Sequence, residues 1–345
     1  MTAIYNQGII FTVILTTIAI YILYRIKKRE RNRSIPKSKL GWRGTVIYIS
    51  KLLGFAVLVL VLMAGAVMVY IDYQTTLEET RPAPSQVEIP PNLPFEVQEV
   101  IFMGGDDLQM AGWYVPSQNG AVMVLLHGFG GNRLAMRWHA EQFTAAGYGV
   151  LMYDERASGE SEGEYRSFGW EDSADVGGAL SYLNTKKDVN LEQIGILGCS
   201  MGGQIALQGA AYYPQIGAVW ADGPASITSA DYSPPEDFFS LLAMISGPIL
   251  DQIYVWHLGI EKPRPMIDII GEIGPRPIML VGGGISHPLF GNEEPRVTLY
   301  ASYAGDNAEV WMIPEAYHCD GPAKLPGEYA ARMIRFFDEA LEIKR

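Results

Sequence analysis

The segment Gly198-Cys199-Ser200-Met201-Gly202 sets a serine between two glycines, after the apolar run "IGIL" and before the helix-like run "GGQIALQGAAYY". A serine at a sharp strand-to-helix turn has its hydroxyl held out in front of a sheet, and flanking glycines let the turn close. A free hydroxyl is a weak nucleophile, so the chemistry also needs a histidine in hydrogen-bond reach, itself oriented by a carboxylate. The chain offers five histidines. His139 and His257 fall within helical patterns as packing or surface residues, His287 lies in a glycine-rich loop, and His127 opens "HGFGG". His318, in "EVWMIPEAYHCDG", follows the last strand-like run and precedes the last helix-like one. In a parallel sheet that puts it on the same edge as Ser200. Such a pair performs acyl transfer, which requires N–H groups aimed at the developing oxyanion. Phe129 in "HGFGG" and Met201, the first residue after the nucleophile, are the candidates.

These residues must be held by a sheet. Strand-like runs "VQEVIFM", "QMAGWYV", "AVMVLL", "YGVLMYD", "IGILG", "AVWAD", "PIMLVGG" and "AEVWMIP" follow one another along the chain. Helical patterns such as "RLAMRWHAEQFTAAG", "WEDSADVGGALSYLN" and "EYAARMIRFFDEAL" lie between or after the later ones. Short apolar strands alternating with helices predict an α/β fold with a mainly parallel sheet covered on both faces. The first two strands, joined by "GGDD", predict an antiparallel edge. Residues 223–276 exceed what a crossover requires and predict an inserted helical cap, with "FFSLLAMISGPILDQIYVWHL" available to line a pocket.

The 345-residue chain also carries two uncharged apolar runs, residues 8–24 and 52–71. Each is close to the roughly 20 residues that span a bilayer as a helix. The segment between them, 25–51, is dense in Lys and Arg with Glu30 as its one acid, so it is expected on the cytoplasmic side. A cleaved signal peptide fits less well, because the basic residues follow the first run. The predicted organisation is a membrane hairpin over 1–72, a Pro-rich tether over 73–96 and a catalytic domain over 97–345. The expected location is the cell membrane, multi-pass, with the catalytic domain on the extracytoplasmic side. Residues 1–71 carry a net charge of +9 and the remainder −21, which disfavours nucleic acid as a partner. Two cysteines, Cys199 and Cys319, make no disulfide framework and no metal cluster; two free thiols, no metal and no cofactor are expected.

Taken in order, "LLHGFGGNR", "AAGYGVLMYDERASGESEG", "GILGCSMGG", "AVWADGP", "RPIMLVGGG", "EVWMIPEAYH" and "EYAARMIRFFDEAL" resemble the α/β-hydrolase superfamily. The similarity is to its serine aminopeptidase and monoacylglycerol lipase-like branch, from about Val97 to Leu341. The resemblance implies the α/β-hydrolase fold, Ser200 as nucleophile, His318 as base, and a mainly structural role for the loop Asp154 to Ser161. Ala157 stands where relatives carry a glycine, and the usual aspartate after "PIMLVGG" is replaced by "GISHPLFGNEEPR". Glu294 is the expected triad acid, with Glu293 and Asp222 as the alternatives. The expected activity is that of a membrane-anchored serine hydrolase acting on a small-molecule carboxylic ester. A peptidase or amidase of the same fold, and a catalytically silent binding protein, are the competing readings. A haloalkane dehalogenase is disfavoured, since its nucleophile would be an aspartate where Ser200 stands.

Overall fold

The computed structural model describes residues 42–286 and 291–344. The predicted membrane run 8–24, most of the basic loop and His287 lie outside the described residues. The chain divides into two compact units, Met1–Thr75 and Thr76–Arg345.

Helix α1, Trp42–Glu79, is a single 38-residue element. It extends beyond the predicted 52–71 at both ends, because no proline interrupts the sequence between Pro36 and Pro82. An 18-residue stretch of it has a mean hydropathy of 2.8, and its length and composition suffice to cross a membrane. Leu52, Leu53, Val57, Leu60 and Val61 are all exposed along it.

The second unit is built around a sheet of eight strands: β1 (Gln98–Met103), β2 (Gln109–Val115), β3 (Val122–Leu126), β4 (Gly149–Tyr153), β5 (Ile194–Cys199), β6 (Ile216–Asp222), β7 (Ile278–Gly283) and β8 (Ala308–Ile313). Their order across the sheet is β8-β7-β6-β5-β3-β4-β2-β1. The six strands β3 to β8 pair in parallel, while β2 runs antiparallel to both β1 and β4, as the sequence predicts. β3, β4 and β7 are buried along their whole length, which is why they read as continuous apolar runs. Helices α2 (Arg137–Ala145), α3 (Ser173–Leu183), α4 (Met201–Tyr212), α5 (Phe238–Leu258), α6 (Glu294–Ala304) and α7 (Pro326–Ala340) complete the unit. Two apolar cores result. One joins β3 and β5 residues to α3 and α4, through Val124, Ile196, Val176 and Ile205; the other joins them to α2 and α7, through Leu125, Leu197, Phe143 and Phe337.

Two predicted boundaries move. The Pro-rich stretch before Val97 is not a free tether: Ala83–Pro84 pair with Ser158–Gly159, and Val87 is buried in the same core as Trp113. Proline restricts the stretch to extended backbone without keeping it off the domain. The cap is also shorter than 223–276. Helix α5, which starts on the Asp237 capping box and ends at Gly259 in the left-handed conformation, forms the insertion. Met266, Ile269, Ile270 and Ile273 belong instead to the core beside α4 and α6. Phe238, Phe239, Ile245 and Trp256 on α5 are exposed, whereas Ile253 and Tyr254 are buried.

Candidate active site

Ser200 sits between the end of β5 and the first residue of α4, with φ 58° and ψ −119°. A non-glycine residue in this region is strained and persists only where its surroundings impose the conformation. The surroundings here are close backbone. A Cβ on Gly198 would lie 2.0 Å from the Gly202 carbonyl oxygen, and one on Gly202 would lie 2.3 Å from that of Leu126. Both flanking positions therefore require glycine. The Ser200 N–H donates to the Asp222 carbonyl at 2.8 Å, pinning the turn to the end of β6.

The "HGFGG" backbone passes directly against Ser200: a Cβ on Gly128 would stand 3.3 Å from Ser200 Cβ. His127 shapes this loop and is fully buried. Its Nδ1–H donates to the Gly128 carbonyl at 2.9 Å while Nε2 accepts from the Glu155 N–H at 3.0 Å. Burial lowers its pKa, which keeps the ring neutral. Met201 opens α4, where the first N–H groups of a helix have no intrahelical acceptor and favour negative charge.

His318 follows β8 with its side chain 10% exposed, and its Nδ1 is held by Glu293 Oε1. The other oxygen of that carboxylate accepts from the Gly283 N–H at 2.7 Å. Glu293, not Glu294, is the residue paired with the histidine. Glu294 begins α6 and is exposed, its N–H donating to Asn292 Oδ1 at 3.2 Å. Successive residues at a helix start point about 100° apart, so one neighbour faces the sheet edge and the other solvent. Burial opposes the charge of Glu293, but the bond to His318 and the Gly283 amide outweigh it and hold the pKa below the ordinary value. The third candidate, Asp222, is engaged elsewhere: it accepts from the Tyr329 hydroxyl at 2.8 Å, and that hydroxyl accepts from Trp220 Nε1 at 2.8 Å.

Sequence reasoning missed three features. Gly223, at φ 54°, leaves room for the dyad, since a Cβ there would lie 2.8 Å from His318 Nδ1 and 3.1 Å from Glu293 Oε1. Its position next to the strand-end Asp222 was the available signal. Cys199 and Cys319 are not free thiols but form a disulfide across 120 residues of sequence, with Cα atoms 6.1 Å apart. The fold that gathers Ser200 and His318 necessarily gathers their chain neighbours. Finally, an aromatic row flanks the "HGFGG" loop: Phe129 packs on Phe168 at 5.4 Å, Phe168 on Tyr254 at 6.5 Å, and Tyr254 on Trp170 at 5.4 Å. Arg166 lies over the Phe129 ring at 4.1 Å, and donates to the carbonyls of Arg81 and Glu78 at 2.5 and 3.0 Å. Tyr254 donates its hydroxyl to Glu79.

The loop Asp154–Ser161 is tied internally. The Asp154 carboxylate takes the guanidinium and backbone N–H of Arg133, the latter at 2.7 Å, and the Glu160 N–H at 2.8 Å. Ala157 adopts φ 55°, which accounts for a glycine at this position in relatives.

A mainly parallel sheet of this strand order, with a serine at a strained turn after its fifth strand, is the α/β-hydrolase fold. The comparisons with known proteins agree with it, and the chain belongs to the α/β-hydrolase superfamily. Residues 117–270 match the family described as serine aminopeptidase, S33. An uncharacterized protein, YfhR of Escherichia coli K12, is 26% identical over 261 residues, covering 72% of this chain and 83% of that protein. A thiohydrolase of Aspergillus aculeatus is 27% identical over 186 residues, covering 52% of this chain and 57% of that protein. Among solved structures, an esterase of Pyrococcus furiosus superimposes with a TM-score of 0.60 at 22% identity, over 76% of this chain and all of that one.

Proposed function

We propose that this chain is a membrane-anchored serine hydrolase that cleaves carboxylic esters through an acyl-enzyme. The observation that carries the reading is the His318–Glu293 pair, gathered to the sheet edge where the strained turn presents Ser200. His318 Nε2 takes the proton of the Ser200 hydroxyl as its oxygen attacks the substrate carbonyl. Glu293 holds Nδ1–H, fixing the tautomer and stabilising the imidazolium that forms. The N–H groups of Phe129 and Met201 face the oxyanion as it develops. Collapse of the tetrahedral intermediate releases the alcohol, which receives the proton from His318. A water molecule, deprotonated by the same histidine, then frees the acid and restores Ser200.

The aromatic row of Phe129, Phe168, Tyr254 and Trp170 supports an apolar acyl group over a charged peptide terminus. Membrane anchoring draws support from α1 and from the apolar run 8–24. The basic segment between those runs supports an extracytoplasmic catalytic unit.

The full chain in detergent should hydrolyse short p-nitrophenyl esters and bind a fluorophosphonate probe covalently, and Ser200→Ala should abolish both. A folded wild-type chain that neither turns over ester nor labels would overturn the reading. Protease added to intact cells should digest the catalytic unit, whereas complete protection would reverse the topology.

A further inference from the structure

The two residues of the disulfide are the chain neighbours of the two residues that exchange the proton. Cys199 ends β5 immediately before Ser200, and Cys319 immediately follows His318. Both sides of the bridge hold a non-glycine residue in the left-handed region, Ser200 at φ 58° and Cys319 at φ 53°. Residues keep such conformations only when neighbouring structure over-determines them, and they concentrate where function needs a fixed geometry. Close backbone imposes the conformation at Ser200, as Gly198 and Gly202 show. At Cys319 the covalent bond to Cys199, beside the Ser200 turn, acts directly on the strained residue.

The histidine is tied on its other side to a different loop. Glu293 orients the ring from the segment after β7, and the Ala316 carbonyl of the His318 loop accepts from the Ile285 N–H of that segment at 3.0 Å. These bonds fix His318 to its acid. They do not fix it to its nucleophile, which stands on β5, two strands away from β7 across β6. The disulfide is a covalent link from the His318 loop to the Ser200 turn, formed one residue from each group. A displacement of about 1 Å between reacting groups costs about 100-fold in rate.

We infer that the Cys199–Cys319 disulfide is a positioning element of the nucleophile–base pair, so that full turnover requires the oxidised bridge. The inference rests on the serine hydrolase reading. Cys199 and Cys319 touch no reacting atom; they act through the backbone of Ser200 and His318. A bridge of this kind suits a protein whose catalytic unit works in an oxidising compartment, because cytosolic thiols are kept reduced.

The test uses the full chain in detergent. A water-soluble phosphine opens the bridge: two electrons pass to the disulfide, each sulfur gains a proton, and the phosphine takes oxygen from water to become its oxide. Thiol titration should rise from no groups to two. Turnover of a short ester should then fall at least tenfold in kcat with KM changed less than twofold. Removing the phosphine and adding a disulfide oxidant such as oxidised glutathione should restore it, the two thiols being oxidised as the glutathione is reduced. Cys199→Ser with Cys319→Ser should reproduce the reduced protein and be indifferent to the phosphine. The cost of Glu293→Gln should be at least tenfold smaller in that double variant than in the bridged chain, because a histidine already displaced from Ser200 gains less from its acid. A scaffolding role alone would leave that factor unchanged. Unchanged kcat in the opened, folded protein overturns the inference, as does a loss of kcat that merely matches loss of the near-ultraviolet circular dichroism of the fold. A bridged wild-type chain that is inert to esters and to the fluorophosphonate probe overturns the hydrolase reading itself, and the positioning role with it.

Discussion

The end of β6 and the loop after β7 each bring a buried carboxylate to the neighbourhood of His318, Asp222 from the first and Glu293 from the second. Their ionisation moves in opposite directions. Burial pushes Asp222 up to about 6, with the Tyr329 hydroxyl only partly offsetting it. Glu293 is also opposed by burial, yet the imidazole and the Gly283 N–H bring it below its ordinary value. Position along the chain and residue type do not separate the two groups. What separates them is the partner: a neutral phenol for one, and a base that becomes a cation for the other.

Exchanging the partners' chemistry is the sharpest way to break this comparison. Glu293→Gln removes the negative charge and lets an amide N–H donate to His318 Nδ1, which favours the wrong tautomer, and should lower kcat by about 10⁴-fold with the fold retained. Glu294→Gln, beside it on the exposed side of α6, should leave kcat within about twofold. Steady-state kinetics on a short ester decides between them, and a reversed result would return the acid to Glu294.

A smaller loss is expected at the glycine between the two carboxylates. Gly223→Ala introduces a methyl group at 2.8 Å from His318 Nδ1 and also forces alanine into φ 54°. Displacing the ring should cost about 100-fold in kcat, at a misplacement of about 1 Å. Fluorophosphonate labelling should slow in parallel. A wild-type labelling rate would mean that the dyad has room to move.

The smallest effect concerns stability rather than rate. Well below pH 3.8 Asp222 is protonated whether folded or unfolded. Between about pH 4 and 6 the unfolded chain ionises first, so stability falls as pH rises, by about 3 kcal/mol in total for this group. Glu293 has the opposite slope: it contributes stability above its ordinary value of 4.5, lost as pH falls below it. Asp222→Asn should flatten the loss between pH 4 and 6 in denaturant titrations and leave kcat within a few-fold. A collapse of kcat in this variant would make Asp222 part of the catalytic apparatus.

Much of the architecture was legible in the sequence because periodicity reports it directly. The eight strand-like runs, the antiparallel edge and the turn at Ser200 each rest on local pattern, and local pattern survives folding. Glu293 could not be separated from Glu294 by such means: a rotation of about 100° between adjacent residues decides which faces the site, and it depends on where α6 begins. The Cys199–Cys319 bond was missed for another reason: the predicted Ser200–His318 pair already brings the two cysteines near each other, but residue type and spacing do not tell two neighbouring thiols from a bridge. The latter half of the predicted cap was misread because Met266, Ile269, Ile270 and Ile273 are apolar and suit either setting, lining a pocket or filling a core.

The packing of residues 76–96 bears on where the chain can be cut. A truncation starting at Val97 removes Val87 from the core that contains Trp113, and the Val87 carbonyl that faces Arg133 Nη2 at 3.4 Å. It also deletes the two carbonyls that hold Arg166 over Phe129, and the carboxylate that receives the Tyr254 hydroxyl. A fragment that begins at Thr76 keeps all of these, so the smallest severable catalytic unit starts inside the last turns of α1, some twenty residues before the first strand of the sheet.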